Sequence, residues 1–388
     1  MTLQPTWRGR MSGRDPQEAH RASTPLELFF DLCFVVAIGA AAVELAHGLE
    51  TDHTAAAIPG YLMVFFAIWW AWMNFTWFAS AYDTDDVPYR LLTLVQMAGV
   101  LVLAAGVPAA LNNYDFAQVT VGYLVMRVPL VVQWLRAARE DPVGRAAALR
   151  YAGGIALVQV GWLLRLLLGH PWDLAGFAVL VVAELAVPIY AEARGRATRW
   201  HPGHITERYG LFTIIVLGEA IVGTTPAFGA AASGHGLSID LLALGVGGLL
   251  LIFGLWWTYF VCTDDDSLDS LRTAMTWGYG HFLVFAAIAA LGAGLEVTAT
   301  AAEHHDNSPA TTLSVAVPSG LFLAILVALR RLTWLQGTRP LGLTGLAVVL
   351  LLAATLLAPV AGVGIAVLAM GVVVSVLLAL FLRGARNA

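Results

Sequence analysis

Long apolar runs separated by short polar loops fill this chain. A helix that crosses a bilayer needs about 17–25 mostly apolar residues. Runs of that length lie at residues 26–46, 55–78, 90–110, 116–136, 149–168, 173–191, 208–226, 239–260, 277–297, 311–330, 340–358 and 361–382. The pattern predicts an all-α, polytopic integral membrane protein with about 12 transmembrane helices. Only Ala358-Pro359-Val360-Ala361-Gly362 separates the last two runs, and one segment through both would be too long, so a tight hairpin is expected there.

The arginines test the count. Cytoplasmic loops carry the excess of basic residues, and here all 21 basic residues are Arg. The first segment holds Arg8, Arg10, Arg14 and Arg21, and the loop after run two holds Arg90. Arg136, Arg139, Arg145 and Arg150 follow run four; Arg194, Arg196, Arg199 and Arg208 follow run six. Arg272 follows run eight, Arg330, Arg331 and Arg339 follow run ten, and Arg383 and Arg386 end the chain. The intervening loops have none, and apart from the arginines at the very ends of runs only Arg127 and Arg165 fall within them. The alternation predicts both termini in the cytoplasm. The first 25 residues lack an apolar signal core, so the first helix is expected to act as an uncleaved anchor.

Two stretches echo one another six runs apart. Run two ends in Trp69-Trp70-Ala71-Trp72, followed by Asp83-Thr84-Asp85-Asp86 and Arg90; run eight ends in Trp256-Trp257-Thr258-Tyr259, followed by Asp264-Asp265-Asp266 and Arg272. An even offset keeps both copies in one orientation, which predicts two parallel six-helix repeats. The expected organisation is an N-terminal cytoplasmic segment 1–25, a first half 26–191, a linker 192–207, a second half 208–382 and a tail 383–388.

Composition agrees: 59% of the 388 residues are hydrophobic and 12% charged, against about 25% charged in soluble domains. The net charge of −5 says little about partners, and a basic complement made only of Arg suggests a GC-rich coding bias and not a nucleic-acid-binding surface. Cys33 and Cys262 form no disulfide framework and no metal-ligand spacing. No metal or cofactor is assigned; the expected partners are the lipid bilayer and a small solute or ion, and a homo-oligomer is compatible with the pattern.

Several of these residues resemble the bacterial low temperature requirement A (LtrA) family. They are Arg21 with the run Leu26-Glu27-Leu28-Phe29-Phe30-Asp31-Leu32-Cys33-Phe34-Val35-Val36-Ala37-Ile38, the Asp83–Asp86 cluster, and the run from Glu207-Arg208-Tyr209-Gly210 to Leu217-Gly218-Glu219. The resemblance covers nearly the whole chain. Cys33 departs from it, standing where a small aliphatic residue is expected. It implies a bacterial inner-membrane protein and no particular reaction.

Ionisable residues inside spans cost about 2.5–3.5 kcal/mol each on insertion scales and are functional candidates for that reason. They are Asp31, Glu44, Arg127, Arg165, Glu184, Glu219 and Glu296. Helical rise places Asp31, Arg127 and Glu184 in the inner half, where they could meet, and Glu219 alone near the midplane. Glu27 and Asp31 share a helix face and repel unless one is protonated or a cation lies between them, for which Arg21 and Arg127 are at hand. A structural ion pair competes with a titratable carboxylate switched against Arg127. Glu219 reads either as a proton carrier or as a neutral acid hydrogen-bonded to a neighbouring helix.

The repeat-motif candidates are Glu207, Arg208, Asp83, Asp85, Asp86, Asp264 and Asp265. The aspartates either gather a cation or pair with Arg90 and Arg272. His201, His204 and Glu207 would suit a metal face were the helix to start early, which Pro202 and Gly203 argue against. Glu303-His304-His305-Asp306 makes the outer face polar. The tryptophans are expected chiefly as interfacial anchors.

A secondary transporter, proton-coupled, fits the span number, the parallel halves and the intramembrane acids. Two alternatives stand beside it. Phe29-Phe30-Asp31 at the head of a six-helix repeat resembles the two-repeat potassium channels of lysosomes and bacteria. A membrane-embedded enzyme on a lipid substrate would need paired acids such as Asp31 and Glu184, but no nucleophile elbow, zinc-protease motif or phosphate loop is present.

Overall fold

A computed structural model describes residues 7–15, 18, 21–169, 171–193, 198–225, 238–263, 268, 270–334 and 339–386. Among them the chain is all α, with no strand. The helices are α1 (Pro25–Glu50), α2 (Thr54–Tyr82), α3 (Val87–Asn113), α4 (Ala117–Glu140), α5 (Arg145–Arg165) and α6 (Trp172–Ala193). Then come α7 (Pro202–Val222), α8 (Ile239–Cys262), α9 (Leu271–Glu303) and α10 (Pro309–Trp334). Helix α11 (Arg339–Ala354) continues through a 3-10 turn (Thr355–Leu357) and a last turn (Ala358–Ala361), and α12 is Val363–Arg386. In hydrocarbon every backbone polar group must be satisfied within its own segment, which is why these apolar runs become helices.

Eleven of these helices are long and apolar enough to cross a membrane. The expected seventh span forms as α7 but is not among them, because Glu207, Arg208 and Glu219 all lie in its 21 residues. Helix α7 also starts earlier than the apolar run at 208, because Pro202 is its first residue, where a missing N–H costs nothing. The expected final hairpin turns on Gly362, at φ 99°, a left-handed conformation that glycine adopts freely.

Local sequence fixes several helix starts. Thr24 and Glu27 form a reciprocal capping box at α1: the Thr24 N–H donates to Glu27 Oε2 at 2.8 Å and the Glu27 N–H to Thr24 Oγ1 at 3.3 Å. Asp86 caps α3 by accepting from the Tyr89 N–H at 3.0 Å, and Ser238 and Ser270 cap α8 and α9.

The chain divides into two compact units, residues 1–41 with 63–208 and residues 42–62 with 209–388. In the first, α3 packs on α4, α4 on α5 and α5 on α6. Gly99 and Gly122 let α3 and α4 approach closely, since a Cβ at Gly99 would lie 2.9 Å from the Gly122 carbonyl. Residues 8–14 are bound to this unit: the Gly9 N–H donates to Asp86 at 2.8 Å, the Met11 N–H to Glu140 at 2.6 Å, and Arg136 to the Gly9 carbonyl at 2.7 Å. In the second unit, α8 lies along α12 and α9 along α10. Gly247, Gly254 and Gly371 line the α8–α12 seam.

Candidate functional site

The first unit buries two charge clusters. In one, α1 presents Glu27 and Asp31 four residues apart, and α7 presents His204 and Arg208 with the same spacing; all four are fully buried. Arg208 holds Asp31 by two bonds, Nε to Oδ2 at 3.0 Å and NH2 to Oδ1 at 2.5 Å. The Trp72 indole N–H donates to Asp31 Oδ1 at 2.6 Å. Glu27 Oε1 is the focus of three cationic or protonatable groups: Arg208 NH1 at 3.1 Å, His204 Nε2 at 3.1 Å and Arg21 NH2 at 3.6 Å. None of the three is aligned as a hydrogen bond to it, so this oxygen is held by charge and not by a fixed bond.

Arg21 links the cluster to its surroundings. Its guanidinium donates to the Ser80 and Ala79 carbonyls, both at 2.8 Å, lies 3.0 Å from His204 Nδ1 and sits 3.6 Å from Asp83. Arg14 approaches Asp83 at 3.8 Å. Burial, reinforced by the charge of Glu27 and only partly offset by Arg21, pushes the Asp83 carboxyl up to about 6.

The second cluster centres on Glu184 of α6, whose carboxylate receives five donors. Tyr123 Oη, Gln159 Nε2 and Trp162 Nε1 donate to Oε1 at 2.8, 3.1 and 3.2 Å. Trp70 Nε1 and Arg127 NH2 donate to Oε2, both at 2.8 Å. All five contacts of this carboxyl are ones in which it accepts. Arg127 Nε and NH1 are buried without a partner. Arg165 caps the neighbouring void, its guanidinium 5.0 Å from the Phe116 ring and 5.1 Å from that of Phe177.

The sequence-derived candidates therefore do not meet at one point. Asp31 and Glu27 are joined by Arg208 and Arg21. Arg127, expected as the switch partner of Asp31, pairs with Glu184 instead, because both project into the ring formed by Trp70, Tyr123 and Trp162. Glu207 accepts from the Ser23 N–H at 3.1 Å. Asp85 pairs with Arg90 at 2.7 Å and Asp86 with Arg136 at 2.6 Å; Asp264 and Asp265 lie outside the described residues. His201 and His204 do not share a metal face: His201 Nε2 lies 2.9 Å from the Glu18 carbonyl, and its Nδ1 accepts from the His204 N–H. Among the described residues no three His, Cys, Asp or Glu side chains are grouped to hold a metal ion. Glu219, half-buried in the second unit, is within electrostatic reach of Glu296, which also feels Glu50.

Sequence reasoning missed the tryptophans. Trp69, Trp70 and Trp72 are buried and not interfacial, and two of them are donors to the two acids. The signal was there: a Trp at the level of an intramembrane acid has an N–H to place. Trp256 and Trp257 are exposed, 42% and 48%.

Eleven helices long and apolar enough to cross a membrane define a multi-pass membrane protein. The sequence profile of the family described as bacterial low temperature requirement A protein (LtrA) matches residues 22–378. The chain belongs to that family. It is 29% identical over 210 residues to an uncharacterized protein of Rhizobium meliloti (strain 1021), an alignment covering 52% of this chain and 50% of that relative. The chain thus matches about half the length of that curated relative.

Proposed function

We propose that the protein is a proton-coupled secondary transporter of a small solute in the bacterial inner membrane, with both termini cytoplasmic and two related six-helix halves. The observation that carries this reading is the Asp83–Arg21–Glu27–Arg208 assembly. Asp83, just beyond α2, has a carboxyl pushed up to about 6. It shares Arg21 with Glu27, whose Oε1 is contested by Arg21, His204 and Arg208 without a fixed bond. A proton on Asp83 releases Arg21 toward Glu27. That weakens the hold of Arg208 on Glu27 and leaves Arg208 to Asp31 alone. The proton state at one end of α2 is thereby transmitted to the α1–α7 contact, which is the kind of differential interaction a coupled conformational change requires. Glu219, on the outward part of α7, stands as a second protonatable acid on the same helix.

Proteoliposomes with an entrapped pH dye test this. Candidate solutes added outside should move protons with the solute in the wild type. Asp83→Asn should keep solute exchange while losing solute-dependent proton movement. Solute uptake by the wild type with no proton movement refutes the coupling.

A further inference from the structure

The second unit contains a groove of about 790 Å³, bounded by the end of α1, the start of α2, α9 and α10. That size lies within the range of small-molecule sites, about 300–1,000 Å³. Its floor is hydrocarbon: Ile58, Leu62, Leu283, Val317 and Leu321, each 38–51% exposed. Tyr61 does not compete for polar ligands there, because its hydroxyl donates to the Ala286 carbonyl at 2.7 Å. One end is polar, rimmed by Glu50, Asp52, His304 and Asp306.

The charge around the groove is one-sided. The two stretches that build it, 45–62 and 283–321, hold Glu50, Asp52, Glu296, Glu303 and Asp306 and not one Lys or Arg. Glu296 lies within electrostatic reach of Glu50 at the rim and of Glu219 on α7, so further acidic side chains, and no basic ones, continue inward from the rim. The first unit handles its buried acids differently, giving Asp31 and Glu184 an arginine each. Clefts walled by low-dielectric groups and lined with one sign of charge concentrate the opposite sign. An anionic amphiphile would meet uncompensated repulsion at this rim, and a neutral one would leave the carboxylates unused.

We infer that the groove binds an amphiphilic organic cation, a hydrocarbon body on the apolar floor and a positively charged nitrogen at the Glu50–Asp52–Asp306 rim. As the cargo class this rests on the transport reading; as a binding site it does not.

The test uses the full chain in phosphatidylcholine nanodiscs with a hexadecylamine carrying a photoreactive diazirine in its chain, and mass spectrometry of the labelled peptides. Labelling should fall in 54–62 and 283–321, and unlabelled hexadecylamine should compete about tenfold better than hexadecanol, a difference of about 1.4 kcal/mol. The Glu50→Gln/Asp52→Asn/Asp306→Asn variant should abolish that preference. Val317→Trp, at a lipid-exposed position, should reduce labelling by both amine and alcohol probes. Equal competition by amine and alcohol, better competition by hexadecanoate, or a preference that survives the triple variant overturns the proposal. Selective labelling without amine uptake into vesicles refutes the amine as cargo and leaves the site standing. Proton-coupled uptake of another solute with no selective labelling does the reverse.

Discussion

Replacing Arg208 with Gln tests the buried α1–α7 cluster most directly. Arg208, Glu27 and Asp31 are each fully buried, and Arg208 supplies both of the guanidinium bonds to Asp31. Removing one partner of a buried pair costs about 3–5 kcal/mol, because a charge is left behind without compensation. Here Asp31 keeps only the Trp72 N–H at 2.6 Å, and Glu27 keeps Arg21 at 3.6 Å and His204 at 3.1 Å. At about 2–4 °C per kcal/mol for a domain of this size, Arg208→Gln should lower the melting temperature in detergent by about 10 °C. The triple variant Glu27→Gln/Asp31→Asn/Arg208→Gln removes both stranded charges and keeps an oxygen for the Trp72 N–H, so it should recover all but about 1–2 kcal/mol. The reasoning fails if Arg208→Gln melts within about 1 kcal/mol of the wild type, or if the triple variant is no more stable than the single one.

Glu184→Gln puts an NH2 among five donors and should cost at least about 3 kcal/mol by thermal unfolding, whereas half-buried Glu219→Gln should change stability by less than about 1 kcal/mol; similar losses from the two would contradict the Glu184 geometry. For Asp83 the folded carboxyl, pushed from 3.8 up to about 6, binds its proton more tightly than the unfolded one. Its stabilising contribution is therefore full below about pH 4 and lost as pH rises through about 6. Asp83→Asn should thus exceed the wild type in stability by up to about 3 kcal/mol at pH 8, with the gap closing by pH 4, and a pH-independent gap would exclude the shift. Arg136→Gln cuts the bonds from Arg136 to Asp86 and to the Gly9 carbonyl, so amide exchange at Gly9 and Met11 should accelerate while exchange within α5 stays as it was.

Much of the architecture was legible because hydrophobic run length is set by the bilayer. The exception was α7. Its charges lower its hydropathy, and Pro202-Gly203 reads as a break although Pro202 is the first residue of the helix. That placement carries Arg208 six residues into α7, opposite Asp31, a position the apolar run beginning at 208 does not reveal. The capping box at Thr24 and Glu27 and the matching four-residue spacings of Glu27–Asp31 and His204–Arg208 were all written in the sequence. Which pair faces which was not, since that depends on helix rotation. Arg127 and Glu184 were legible as costly residues at one depth, but of the ring around them only Tyr123 shares a helix with either; Trp70, Gln159 and Trp162 come from two further helices, α2 and α5.

Trp70 and Trp72 are separated by two residues, about 200° around the axis of α2, and each indole is engaged, one on Glu184 and the other on Asp31. The helix is therefore a shaft with two cams set almost opposite. Turning it about its axis by even 30° withdraws both indoles from their carboxylates at once, so neither acid can be released singly by rotation. Sliding along the axis carries both in the same direction. Whatever displaces α2 must disturb both acids in a single stroke, and two tryptophan emissions should report that movement in synchrony.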